Sequence, residues 1–171
     1  MRQKSLKSAC LGALGAVLMA CPAAAQSSGG AINALSGDEI EQVLLAAGMA
    51  PTMLEDVNTG APVASASSGD VSFAVRALDC AGEKCSTLVF FANFELGRPM
   101  TESDYKIVNR FNDGQVFGRA YVLDEAAAVG VDYVIELDGG VSKDHISNNI
   151  SKWADVVSAF IEHFRAGSAD S

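Results

Sequence analysis

The stretch LDCAGEKC, residues 78–85, constrains the fold more than any other part of the chain, because it joins two strand-like runs. Upstream of it, Val71, Phe73, Val75 and Ala77 alternate with Ser72, Ala74 and Arg76, the pattern of a half-buried antiparallel strand. Downstream, STLVFFANFEL is apolar on both faces near its middle. That predicts a central strand covered by helices on one face and partly on the other. The connection is of hairpin length, so the two strands point opposite ways, with Gly82 taking the turn. Such a hairpin sets Cys80 across from Cys85 and suits a disulfide, whose α-carbons prefer a separation of about 5.5–6 Å.

Whether that pair is a staple, a metal knuckle or a redox switch depends on what else the chain offers. MRQKSLK carries Arg2, Lys4 and Lys7 with no acid, and an apolar run follows to Ala20. This is the form of a secretory signal peptide, and the run is short of the ~20 apolar residues that span a bilayer. Two exits compete. Ala23-Ala24-Ala25 before Gln26 offers the small-x-small pattern of signal peptidase cleavage, whereas Leu18-Met19-Ala20-Cys21 resembles a lipoprotein lipobox. Met19 and Pro22 fit the lipobox poorly, so residues 1–25 are read as the signal and Cys10 and Cys21 go with it. The remaining cysteines are one matched pair in an oxidising compartment, which is read as a disulfide. A zinc site needs four ligands, and His145 and His163, 18 residues apart on one predicted helix, are separated by about 27 Å along its axis. Thioredoxin-type chemistry uses C-x-x-C at a helix start, not four intervening residues in a hairpin.

Loss of the three leader cations moves the net charge from -9 to -12. A chain this acidic is repelled by nucleic acid and by anionic lipid, so nucleic acid is not expected as a partner, and a membrane is expected only if Cys21 is lipidated. Residues 26–35 read as a flexible leader, and residues 167–171 as a frayed tail.

Between them the elements follow in mixed order. Ser36-Gly37-Asp38-Glu39 is a capping box opening a helix with Ile40, Val43, Leu44 and Ala47 on its apolar face and Gly48 as its stop. Strand-like pieces run from Pro51 to Leu96, cut by turns at Asn58-Thr59-Gly60 and Ser67-Ser68-Gly69-Asp70. Thr101 caps a second helix with Tyr105, Val108 and Phe111 as its stripe, and two strands follow, Val116 to Asp124 and Val129 to Asp138. In the second, Val131, Tyr133, Ile135 and Leu137 face one way, while Asp132, Val134, Glu136 and Asp138 face water. Ser142 caps a long helix to about Arg165, with Ile146, Ile150, Trp153, Val157, Phe160, Ile161 and Phe164 forming a stripe wide enough to cover a sheet. The expected fold is α+β, an antiparallel sheet with helices packed mainly on one face, in a single domain over residues 36–166.

No catalytic constellation emerges. There is no G-x-S-x-G elbow and no D-x-D-x-D-G calcium loop, and Gly139-Gly140 lacks the Lys and Ser or Thr of a phosphate-binding loop. Glu136 and Asp138 read as a solvated sheet face, Asn149-Ile150-Ser151 as a chance glycosylation match inside a helix, and both histidines as lying in or near the polar flank of the last helix. No cofactor or metal is expected.

Three strings taken in order resemble the YbjN family of bacterial sensory transduction regulators: SGDVSFAVRALDCAGEKCSTLVFFANFEL, NRFNDGQVFGRAYVLDE and ELDGGVSKDHISNNISKW. Phe111-Asn112 stands where that family usually has Trp-Asn, Phe117-Gly118-Arg119-Ala120-Tyr121 matches its strand motif, and Gly139-Gly140-Val141 its turn. The resemblance implies an α+β fold similar to type III secretion chaperones, small proteins that bind other polypeptides, and it implies no reaction. The expectation is therefore a non-enzymatic periplasmic or secreted binding module recognising a polypeptide or envelope component. An envelope lipoprotein anchored at Cys21 with a structural role is the alternative, and an enzyme acting on cell-wall or small-molecule substrates, which a deep cleft with convergent acids would mark, is the third reading. Homodimerisation through sheet or helix contacts is carried by the chaperone analogy alone. The expected partner surface is the exposed side of the sheet around Arg119, Tyr121 and Glu136, since Arg and Tyr are favoured contact residues. The plain alternative for Arg119 and Tyr121 is strand packing with an ion pair.

Overall fold

The computed structural model of the protein describes residues 30–169. The expected signal segment 1–25, including Cys21, the first residues of the leader and the last two of the tail lie outside the described residues. Seven strands form one antiparallel sheet: β1 (Leu35–Ser36), β2 (Thr52–Glu55), β3 (Pro62–Ser68), β4 (Val71–Ala81), β5 (Lys84–Glu95), β6 (Arg119–Leu123) and β7 (Ala128–Glu136). Their order is β2-β3-β4-β5-β7-β6, with β1 paired to the start of β5. Helices α1 (Gly37–Ala46), α2 (Glu102–Gly114) and α3 (Lys143–Ala169) complete the chain, which is the expected α+β arrangement.

The inner face of the sheet alternates large and small: Phe73, Val75 and Ala77 on β4 stand beside Leu88, Phe90 and Ala92 on β5 and Val131, Tyr133 and Ile135 on β7, all buried. The α3 stripe lies on this surface. Trp153 is fully buried with its ring 5.6 Å from Phe73 and 5.9 Å from Phe90, and Phe160 stands 5.2 Å from Phe111 of α2. Phe73, Phe90 and Trp153 thus form one aromatic cluster at the centre of the core, in tilted and edge contacts that such rings favour.

Both short helices are started by reciprocal caps. Ser36 Oγ accepts from the Glu39 amide at 3.3 Å while Glu39 accepts from the Ser36 amide at 2.8 Å. At α2 the carboxylate of Asp104 accepts from the Thr101 amide and hydroxyl, both at 2.8 Å, and forms a bidentate pair with Arg98 at 2.7 and 2.8 Å. Asp104 is only 1% exposed. The Arg98 guanidinium, against the cost of burial and together with the Thr101 bonds, holds its carboxyl well below the usual range.

Asn112, in the Phe-Asn pair of the second helix, has a role that its sequence position does not reveal. Its carboxamide accepts from the Ala120 amide at 2.8 Å and donates to the Ala120 carbonyl at 3.0 Å. β6 is an edge strand, paired only with β7. Asn112 therefore fills, for one residue, the hydrogen-bonding place of a missing neighbour, and blunts an edge that would otherwise invite another strand.

Several expectations need correcting. The leader is not free up to residue 35: Ile32 bridges to Val141, and Leu35 pairs with Cys85 and is 4% exposed, because these apolar side chains close the end of the core. The tail is not frayed from 167, since α3 runs to Ala169 and Gly167 packs so tightly on Ile107 that an added Cβ would lie 2.8 Å from it. Ile107, not Tyr105, joins Val108 and Phe111 on the buried stripe of α2, while Tyr105 is exposed. β6 begins at Arg119 rather than Val116, because Gly118 turns with φ +78 against Val156 and leaves Val116 and Phe117 outside the sheet. His163 does not face solvent fully: its Nε2 lies 2.9 Å from the Ile107 carbonyl and its ring packs on Phe111.

Two outcomes follow for stability. Asp104→Asn is expected to cost about 2 kcal/mol near neutral pH, the scale of a charge-assisted hydrogen-bond set. Because the folded carboxyl titrates below its unfolded value of 3.8, this stabilisation is complete above that value and is lost progressively as pH falls from there through the depressed folded value. Urea unfolding at several pH values should show the gap between wild type and variant closing in acid. Asn112→Asp, which cannot donate to the Ala120 carbonyl, should cost about 1–3 kcal/mol by the same measurement.

Candidate functional site

The face of the sheet opposite the helices is open. Core contacts from all three helices converge on the inner face, so the outer side chains of β2 to β7 have no element over them among the described residues. The strand register shows what they form. Leu54 stands opposite Val63, Val63 opposite Arg76, Arg76 opposite Val89 and Val89 opposite Val134. This row crosses five strands, and at about 4.8 Å per strand it is roughly 19 Å long. Leu54 is 54% exposed and Val134 51%. Its one charged member, Arg76, lies over the Phe91 ring at 5.8 Å and pairs with Asp56 at 3.9 Å.

On one side of this row, Asp132 and Arg119 stand opposite each other on β7 and β6 and are joined at 2.5 Å. Tyr121 reaches across β7 to donate to Asn93 on β5 at 2.7 Å. The strand between them carries Gly130, where an added Cβ would meet both Tyr121 and Asn93 at 2.5 Å, so glycine is what lets the phenol lie flat. Burial, and secondarily the Asp132 carboxylate, pushes the Tyr121 hydroxyl up to about 12. Of the surface expected from sequence, Arg119 and Tyr121 are thus brought together and held by packing and an ion pair, the plainer of the two readings.

Glu136 lies on the same face but apart from them, four residues along β7 from Asp132, roughly 13 Å. It belongs to a different group. The Thr87 hydroxyl sits 2.8 Å from Asp79 Oδ2 and 3.1 Å from Glu136 Oε2, and with one proton it donates to only one of them at a time. Asp79 has a left-handed backbone, φ 53, immediately before Cys80. Cys80 and Cys85 are directly opposed in the β4–β5 ladder and joined by a disulfide, with α-carbons 3.8 Å apart rather than the 5.5–6 Å anticipated. The closing end of a two-residue hairpin draws the strands together there. No Lys or Arg pairs with Asp79 or Glu136 among the described residues.

Sequence reasoning missed Leu54, Val63, Val89 and Thr87 as members of this face. The signal for the face itself was Val134, an apolar residue at a water-side position between Asp132 and Glu136. Elsewhere, a groove of about 850 Å³ runs between α1 and the start of α3 over Ile32, Leu35, Val43 and Ile146. Its Glu39 is already engaged by Lys84 and the Ser36 amide, so the convergent free acids that an acid–base site needs are not assembled there.

The similarities to known proteins fall in line with this architecture. No curated protein matches the sequence at a significant level. Among solved structures, the chain is similar in fold to the "Crystal structure of YbjN, a putative transcription regulator from E. coli", with a TM-score of 0.54 and 16% identity over 78% of this chain and 92% of that one. The family model of YbjN, described as "Putative bacterial sensory transduction regulator", matches residues 36–166. With nearly all of its described fold inside that match, the chain belongs to the YbjN family.

Proposed function

We propose that the protein is a non-enzymatic regulatory and binding module, exported to the periplasm or beyond, whose open sheet face recognises a polypeptide or envelope component. The family's description as a regulator supports the absence of a reaction as its purpose. The basic, then apolar, N-terminal segment supports export, and the Cys80–Cys85 bond is the form the pair takes where thiols oxidise. The observation that carries the binding reading is the row from Leu54 to Val134. A sheet that buries its core on one face and leaves Leu54 and Val134 half exposed at the ends of a row along the other retains area for a partner to cover.

Intact mass of the protein recovered from the cell envelope tests export. A chain beginning at Gln26 and lighter by two hydrogens is expected. A full-length chain in the cytosol with all four cysteines titratable as thiols, or an acylated Cys21, would overturn the export route as proposed. A photo-reactive residue at position 134 should form adducts in intact cells that one at the exposed helix position 155 does not. Equal yields at both positions would remove the sheet face as the binding surface. Reduction of the disulfide should lower stability by about 2 kcal/mol, the chain-entropy estimate for so short a loop, and leave the fold intact by circular dichroism.

A further inference from the structure

Accepting the outer sheet face as the binding surface, the distribution of charge on it selects the chemistry of what binds. Its two cations are engaged: Arg76 with Asp56 and the Phe91 ring, Arg119 with Asp132. Its acids are not all matched by a cation, although Glu136 also accepts from the Leu137 and Asp138 amides. Asp79 and Glu136 flank one Thr87 hydroxyl and have no cation partner among the described residues. Thr87 and Glu136 lie two residues along their strands from Val89 and Val134, on the same face, which places the acids about 7 Å from the apolar row.

We propose that this face docks a basic, apolar polypeptide segment, its branched or aromatic side chains covering Leu54, Val63, Val89 and Val134 and a Lys or Arg entering between Asp79 and Glu136. The spacing suits such a segment. Residues i and i+2 on one side of an extended chain are separated by the same ~7 Å that separates row and acids. An anionic segment would bring like charge to a carboxylate pair that lacks a counterion, and a purely polar cation would leave the row wet. A second copy of this chain is disfavoured by the same arithmetic, since the chain carries 21 acids against 12 Lys and Arg and both of this face's own cations are already paired. The partner supplies the missing positive charge.

The test is fluorescence anisotropy with the folded, oxidised protein and three labelled twelve-residue peptides, alternating Lys with Val, Glu with Val, and Lys with Ser. The Lys/Val peptide should bind at least about tenfold more tightly than either of the others, equivalent to about 1.4 kcal/mol. Leu54→Ser with Val134→Ser, both at exposed positions, should weaken it about tenfold, and so should Asp79→Asn with Glu136→Gln. Asn is chosen at position 79 because it tolerates the left-handed backbone there. The equal charge change placed on α3, Asp155→Asn with Glu162→Gln, should alter binding by less than about twofold, which separates a local acid pair from the general attraction of an acidic protein.

If Lys/Val and Glu/Val bind alike and only the Leu54/Val134 variant weakens them, the face binds but the charge inference falls. If Lys/Val and Lys/Ser bind alike, or the α3 variant weakens binding as much as the Asp79/Glu136 variant, the attraction is diffuse and the inference falls as well. If none binds and sedimentation shows a dimer that Leu54→Ser with Val134→Ser dissociates, the occupant is a second copy and the proposal is overturned. If none binds and position 134 also captures nothing in cells, the binding reading of the face fails with it.

Discussion

The contact of α3 with the middle of the sheet is the interaction on which the other features depend. Trp153 fits between Phe73 of β4 and Phe90 of β5, and these strands, with β7, form the longest ladders in the molecule. A helix of 27 residues running over three strands covers one side of them with a single stripe. The flanking space on that side is filled by α2 next to β6 and α1 next to β3, where Ala64, Ala66 and Ala120 let the backbones approach. All three helices are committed to one face by these contacts, and the described residues hold no further element for the other. The open face is thus a consequence of how the core is built.

How that face stays soluble follows from small local devices. Phe91 is covered by the Arg76 guanidinium, an arrangement worth about 0.5–1 kcal/mol at exposed sites. Tyr121 lies over Gly130 and turns its hydroxyl to Asn93, so an aromatic ring covers three strands without leaving a polar atom unpaired. Each device removes an apolar surface from water by means of a neighbour in the same sheet. Leu54 and Val134, the most exposed apolar side chains of this face, ahead of Leu78 and Leu123, have no such neighbour among the described residues. They are the places where the face's self-protection runs out, and their position at either end of one row is a property of register, since a slip of one residue in β2 or β7 would turn them inward.

Elements whose cause is local were legible in the sequence. The Ser36–Glu39 capping box, the β4–β5 hairpin and most of the α3 stripe depend on residues within a few positions of one another. The parts that were not legible depend on distant partners. Ile32 and Leu35 belong to the fold because Val141 and Cys85 are there to receive them, and nothing near residue 32 announces it. Ile107 displaces Tyr105 from the α2 stripe because the last turn of α3, at Gly167, needs something to rest on. The expected site was half legible for the same reason. Arg119 and Tyr121 were visible as contact-type residues, but their engagement by Asp132 and Asn93 requires the strand register, and so does the meeting of Asp79 with Glu136.

The two edges of the sheet show why a face, not an edge, is the surface to associate with binding. At β6 the Asn112 carboxamide occupies both backbone groups of Ala120, and at β2 only four residues are paired, with Pro51 directly before them, a residue that cannot donate to a neighbour. A partner adding a strand would have to displace Asn112, at a cost comparable to a buried unsatisfied pair of about 1–3 kcal/mol, or accept a four-residue ladder. Covering the outer row asks for neither. Its backbone groups are already satisfied within the sheet, so what a partner gains there is apolar contact and charge neutralisation with no hydrogen bond broken.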